Sequence, residues 1–102
     1  MSDDDLSQIE SECRRATDEF LALDWGHSKP RVRSAVDEML LGSRLYTTSM
    51  AFLLRECTKL PVQQEPARRL NDLVSAIAAL RMRKRQIEAF STSDEMRRGM
   101  VA

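Results

Sequence analysis

Between Pro30 and Leu60 the chain is apolar on two nearly opposite sides of a single predicted helix, and 102 residues offer few ways to cover both. One side is a seam, Val32, Val36, Met39, Ser43, Tyr46, Met50, Leu53, Cys57 and Leu60, stepping 4, 3, 4, 3 throughout; the other is Leu41, Leu45, Thr48 and Phe52. At about 100° per residue the two stripes lie roughly 150° apart, whereas a surface helix of a small protein has one apolar stripe and one wet face. Something must bury the second stripe. It is core if the remaining helices flank the central one on opposite sides, and an interface if they share one side.

Two further helices supply matching seams. The first, over residues 3–25, starts with Ser2 as N-cap and with Asp3, Asp4 and Asp5 in the first turn, where negative charge suits the unsatisfied N–H groups. Its apolar positions Leu6, Ile9, Cys13, Ala16, Phe20 and Leu23 step 3, 4, 3, 4, 3, the spacing of a left-handed bundle contact. Trp25 plugs the corner at its end. A turn at Gly26–Lys29 leads into Pro30, placed where a missing N–H costs nothing.

The central helix, 30–59, is stopped by Pro61. Gly42 and Ser43 near its middle have two readings: a close approach in which Cys13 and Ala16 lie opposite, or a local kink. Pro66 opens the third helix, 66–91, with the seam Leu70, Leu73, Ile77, Leu80, Lys84 and Ile87, and Ser91–Glu95 ends it. The expected architecture is all-α: one domain, residues 1–95, folded as a three-helix up-down-up antiparallel bundle with coiled-coil-like seams and a long central helix, followed by a flexible tail at 96–102.

Composition agrees with that class. Hydrophobic residues at 42% and charged residues at 31%, with three Gly and three Pro, describe a folded helical chain, since strand-rich folds need more turns. No apolar run approaches the roughly 18 residues of a membrane span, and the N-terminus is acidic rather than apolar, so a cytoplasmic location without membrane contact is expected. Cys13 and Cys57 both fall on apolar seams, far apart along their helices, and read as reduced core residues.

Charge sums to zero but is unevenly placed. Residues 1–24 carry eight acids and two arginines, whereas residues 67–102 carry eight bases and four acids. Internal pairing of an acidic first helix with a basic last one is one reading; a basic partner surface is the other.

The chemistry of a catalytic site is missing from the pattern. His27 is the sole histidine, it stands in a turn, and no Cys or second His lies at metal-ligand spacing from it. No nucleophile arrangement or phosphate loop accompanies it, so the expectation is a non-enzymatic protein without metal or cofactor.

The residues that point to a function are those of an interface: Leu41, Leu45, Thr48 and Phe52 as the affinity-bearing face, with Arg81, Arg83 and Arg85 tuning it. The expected role is a protein–protein interaction module, a small adaptor, chaperone or assembly subunit. It would act through helix–helix packing, either by self-association, where twofold symmetry lets one patch cover itself, or by capture of a client helix. The alternative is a small nucleic-acid-binding regulator using the basic segment Arg81–Arg85, although the chain has no overall positive charge and no recognisable nucleic-acid motif.

Overall fold

Turn chemistry places the helix ends. The computed structural model describes the backbone of residues 2–101 and the side chains of residues 5–89, and within these the chain is all-α. Among the described residues there are four α-helices, α1 (Ser2–Leu21), α2 (Lys29–Leu41), α3 (Tyr46–Cys57) and α4 (Pro66–Val101), with short 3-10 turns at Gly26–Ser28 and Val62–Gln64. Pro30 lies in the first turn of α2 and Pro66 opens α4, both at positions where no N–H is required.

The expected long central helix is not continuous, and this corrects the three-helix reading. At its middle Gly42 adopts a left-handed conformation, φ 65 and ψ 32. Its N–H donates to the Met39 carbonyl at 3.1 Å and the Ser43 N–H donates to the Glu38 carbonyl at 3.3 Å, the reversed pair of bonds that closes a helix C-terminus. The Ser43 hydroxyl completes the elbow, donating to Glu38 Oε2 at 2.7 Å and accepting the Leu45 N–H at 3.1 Å. Glycine inside a helix costs about 1 kcal/mol relative to alanine, while the left-handed turn costs it nothing sterically. Of the two readings of Gly42 and Ser43 the structure takes the kink, and takes it as far as a complete reversal.

That reversal makes the bundle up-down-up-down. The start of α2 lies beside the end of α3, where the Ser28 hydroxyl is near enough to the Glu56 carboxylate to favour its ionised form. α1 packs against α4 and α2, and α3 packs against α2 and α4, so the helices form a ring of antiparallel neighbours. Val32, Val36 and Met39 from α2 share one core with Leu53 from α3, Phe20 from α1 and Leu73 and Ile77 from α4, all essentially without solvent contact.

Trp25 closes the base of the bundle as expected. Its indole N–H donates to the Phe20 carbonyl at 2.8 Å, satisfying a C-terminal carbonyl of α1, and its ring stands 5.0 Å from that of Phe20 at a tilt of 51°. The Asp24 N–H donates to Gln64 Oε1 at 3.1 Å, which ties the first turn to the last.

The far end is thinner because α2 and α3 stop while α1 and α4 continue. α4 has 36 residues, and the molecule measures 61 × 27 × 17 Å. Beyond the elbow only two helices remain, which is why Leu6, Ile9 and Ile87 are half-buried and Lys84, on a seam position, is exposed. Ser91–Glu95 do not end the helix. The backbone stays helical to Val101, so α4 runs past the end expected at residue 91. The capping expected of Ser2 falls on side chains outside the described residues.

Opposite charges meet across α1 and α4. Glu19 pairs with Arg69 at 3.1 Å and Asp5 with Arg83 at 4.0 Å, at equal residue separations on the two helices, as a single antiparallel register requires. Such exposed pairs contribute about 0.2–1 kcal/mol each, so they select register more than they add stability.

Replacing Phe20, which is fully buried, by alanine should cost about 3–5 kcal/mol, a large share of what a domain this size possesses. Leu41→Ala, at a residue 78% exposed, should change stability by less than about 0.5 kcal/mol. Urea denaturation followed by Trp25 fluorescence measures both.

Candidate functional site

Two features stand out from the bundle surface: the elbow with its exposed leucines, and a groove between α3 and α4. The elbow contains most of the residues expected at an interface. Leu41 ends α2 at 78% exposure and Leu45 sits in the turn at 46%. Thr48 is exposed on α3, whereas Phe52 is half-buried and packs against the core. Because the chain reverses at Gly42, these four do not form one stripe on a straight helix; Leu41 and Leu45 stand on a convex corner.

The basic segment also divides. Arg81 lies across the elbow, its guanidinium carbon 5.2 Å from the centre of the Tyr46 ring and its Nε 3.4 Å from where a Cβ on Gly42 would be. Arg83 reaches Asp5 and donates to Gln86 Oε1 at 3.4 Å. Arg85 is exposed. The structure thus brings Arg81 to the expected leucines, and turns Arg83 toward α1.

The groove is the feature that periodicity did not reveal. It has a volume of about 390 Å³ and is built from Met50, Leu54 and Cys57 on α3 and Ala67, Leu70 and Val74 on α4. Small side chains make its depth: Pro66 and Ala67 at the start of α4 leave a gap beside the last turns of α3. Cys57 and Leu70 are buried and form the floor, while Leu54, 52% exposed, forms a wall. Thr58 and Asn71 are its polar edge. A sequence signal did exist in the apolar doublets Leu53–Leu54 and Leu73–Val74, each widening a helix's apolar arc past its seam.

The titratable groups near the groove are structural. Burial pushes the Cys57 thiol up to about 11, with the neighbouring Glu56 charge adding to it, and its Sγ lies 3.7 Å from the Pro66 carbonyl. Burial likewise raises the Cys13 thiol. Both cysteines are free and buried, and at neutral pH they are protonated apolar groups rather than nucleophiles.

Glu56, only 5% exposed, is held below the ordinary carboxylate range first by Lys59, whose ammonium is 2.6 Å away, and then by the Ser28 hydroxyl. It tethers the end of α3 to the start of α2. His27 is exposed in its turn, and among the described residues no three His, Cys, Asp or Glu side chains converge to hold a metal ion. No helix among the described residues is long and apolar enough to cross a membrane.

The fold and the site together define a small up-and-down helical bundle carrying an apolar cleft. Comparison with protein-family models, with curated proteins and with solved structures finds no match to this chain.

The Glu56 tether sets a pH dependence. A carboxylate whose folded-state pKa is depressed contributes stability that is fully present above its unfolded-state value and disappears as pH falls through the folded one. Stability should therefore decline below the ordinary carboxylate range, and Glu56→Gln should flatten part of that decline while lowering stability at neutral pH. Urea midpoints measured from pH 7 down to pH 3 for both proteins test it.

Proposed function

We propose that this chain is a non-enzymatic protein–protein interaction module that receives an amphipathic helix of a partner protein in the cleft between α3 and α4. The observation that carries this reading is the cleft itself: concave, about 390 Å³, apolar on both walls and floor, with polar groups only at its edge. Laying an apolar helix face into such a groove is a recurrent mode of peptide recognition, with anchors one turn apart seated between the walls. Burial of a partner's Leu- or Phe-sized side chain supplies about 1.5–3 kcal/mol each, and the polar edge fixes orientation.

This reading moves the binding face relative to the sequence expectation. Leu41 and Leu45 occupy a convex corner, where isolated exposed leucines are ordinary surface features, whereas Met50 and Leu54 line the opposite flank of α3 and face a second wall. The buried, protonated Cys57 and the tethered Glu56 offer no nucleophile or free acid in the cleft, which favours binding over chemistry.

An apolar fluorescent dye such as anilinonaphthalene sulfonate should bind the folded protein in the cleft and be displaced by a Leu-rich amphipathic helical peptide. Leu54→Glu and Val74→Glu should each reduce both signals at least about tenfold with helicity unchanged, while Leu45→Glu leaves them intact. Loss on Leu45→Glu instead would place the face at the elbow, and equal binding by all four proteins would overturn the reading.

A further inference from the structure

The seam of α2 and α3 contains more order than the closed hairpin needs. From Val32 to Leu60 its steps of 4 and 3 pass through Ser43 without a change of phase, although Gly42 to Leu45 are not helical. In a hairpin each leg meets its neighbours on its own, so the phase of one leg relative to the other has no consequence. In a single straight helix the phase matters, because only an unbroken seam keeps both halves facing the same side.

The elbow divides the chain into two hairpins. α1 and α2 are joined by the turn at residues 22–28, and α3 and α4 by the segment at residues 58–65. The core and the Glu19–Arg69 and Asp5–Arg83 pairs are made between these two hairpins. We propose that the Gly42–Leu45 elbow is the hinge of a domain-swapped dimer, in which residues 29–57 straighten into one helix and α1–α2 of each chain packs on α3–α4 of a second copy.

Two such helices run antiparallel with their seams toward each other, so α2 of one faces α3 of the other and every contact between the two hairpins is remade between chains, only the bonds of the elbow itself being lost. Gly42 and Ser43 then meet their counterparts near the twofold axis, where small residues allow close approach. Swapping of this kind adds little enthalpic cost, and a short connecting segment favours it. The cleft lies wholly within α3–α4, so the dimer displays it twice and the inference does not depend on what the cleft binds.

Gly42 sets the balance between the two forms. An added Cβ meets only ordinary van der Waals contact, 3.4 Å from Arg81 Nε, so alanine acts through conformation rather than collision. Alanine disfavours the left-handed turn and favours helix; asparagine adds the same Cβ but tolerates the turn. Because both chains of a dimer gain, Gly42→Ala should raise the association constant by on the order of a hundredfold, whereas Gly42→Asn should stay close to the parent.

Light scattering on refolded full-length protein over a range of concentrations reads the mass. The swap itself is read by co-refolding a Gly42→Ala, Glu19→Cys chain with a Gly42→Ala, Arg69→Cys chain and adding a short bismaleimide, the buried native thiols reacting slowly. A covalent dimer between the two chains is expected, since α1 of one then lies on α4 of the other. Ser43→Ala, which removes the hydroxyl that accepts the Leu45 N–H, should shift mass in the same direction by a smaller factor and serves if the alanine at Gly42 prevents refolding. A Gly42→Ala protein that folds and remains monomeric, a dimer with no cross-link between chains, or equal association by the Ala and Asn variants would overturn the proposal.

Discussion

The left-handed turn at Gly42 is the constraint on which the rest of this molecule depends. With φ at 65, the chain reverses within four residues and lays Val32, Val36 and Met39 on the same core as Leu53. Most L-residues at that position, asparagine and aspartate apart, lose about 1–2 kcal/mol to the left-handed conformation, a large fraction of the stability of a domain of this size. Arg81 reinforces the reversal from outside, its guanidinium lying over Tyr46 and against Gly42. A straight central helix could not bring its two halves into one core, and the second apolar stripe would then need a different cover.

The same reversal explains the uneven burial along the bundle. Where four helices run together, Phe20, Leu53, Leu73 and Ile77 are sealed from solvent. Past the elbow α1 and α4 run on as a pair, with half-buried Leu6 and Ile9 and with Arg83 reaching Asp5 across the seam. Charge asymmetry along the chain thus becomes register: an acidic α1 against a basic α4, oriented antiparallel. The weak energies of exposed pairs are sufficient for this, because a register error misplaces several apolar contacts at once.

Periodicity and turn residues make the helical class, the seams of α1 and α4, the starts at Pro30 and Pro66 and the corner role of Trp25 legible in the sequence. They do not decide between a helix that continues through Gly42 and one that folds back there. The reason is physical: a 4, 3 seam looks the same in both, and the roughly 1 kcal/mol cost of a helical glycine is smaller than the tertiary terms that choose. The end of α4 is hidden from the sequence for a similar reason, since Ser91, Thr92 and Ser93 weaken a helix without breaking it. The cleft was less legible still. Leu54 and Val74 look like surplus apolar residues until α3 is known to lie beside α4, and its depth comes from what Pro66 and Ala67 lack.

Seen as two hairpins joined by one elbow, the chain separates its tasks. The α3–α4 hairpin holds the whole cleft, and the α1–α2 hairpin supplies most of what buries the opposite side of α3 and α4. The cleft is therefore linked to the first hairpin only through the shared core and through Glu56, which lies near Ser28 on the far side of α3 from Leu54. That approach favours the bundle only while the Glu56 carboxylate is ionised. The cleft floor is made by Cys57, next to Glu56, and by Leu70, and both belong to the core that the two hairpins share, so loosening of the hairpin pair reaches the cleft through α3 and α4 together. Stability of the bundle and shape of the cleft are in this way coupled through the two residues, Cys57 and Leu70, that belong to both.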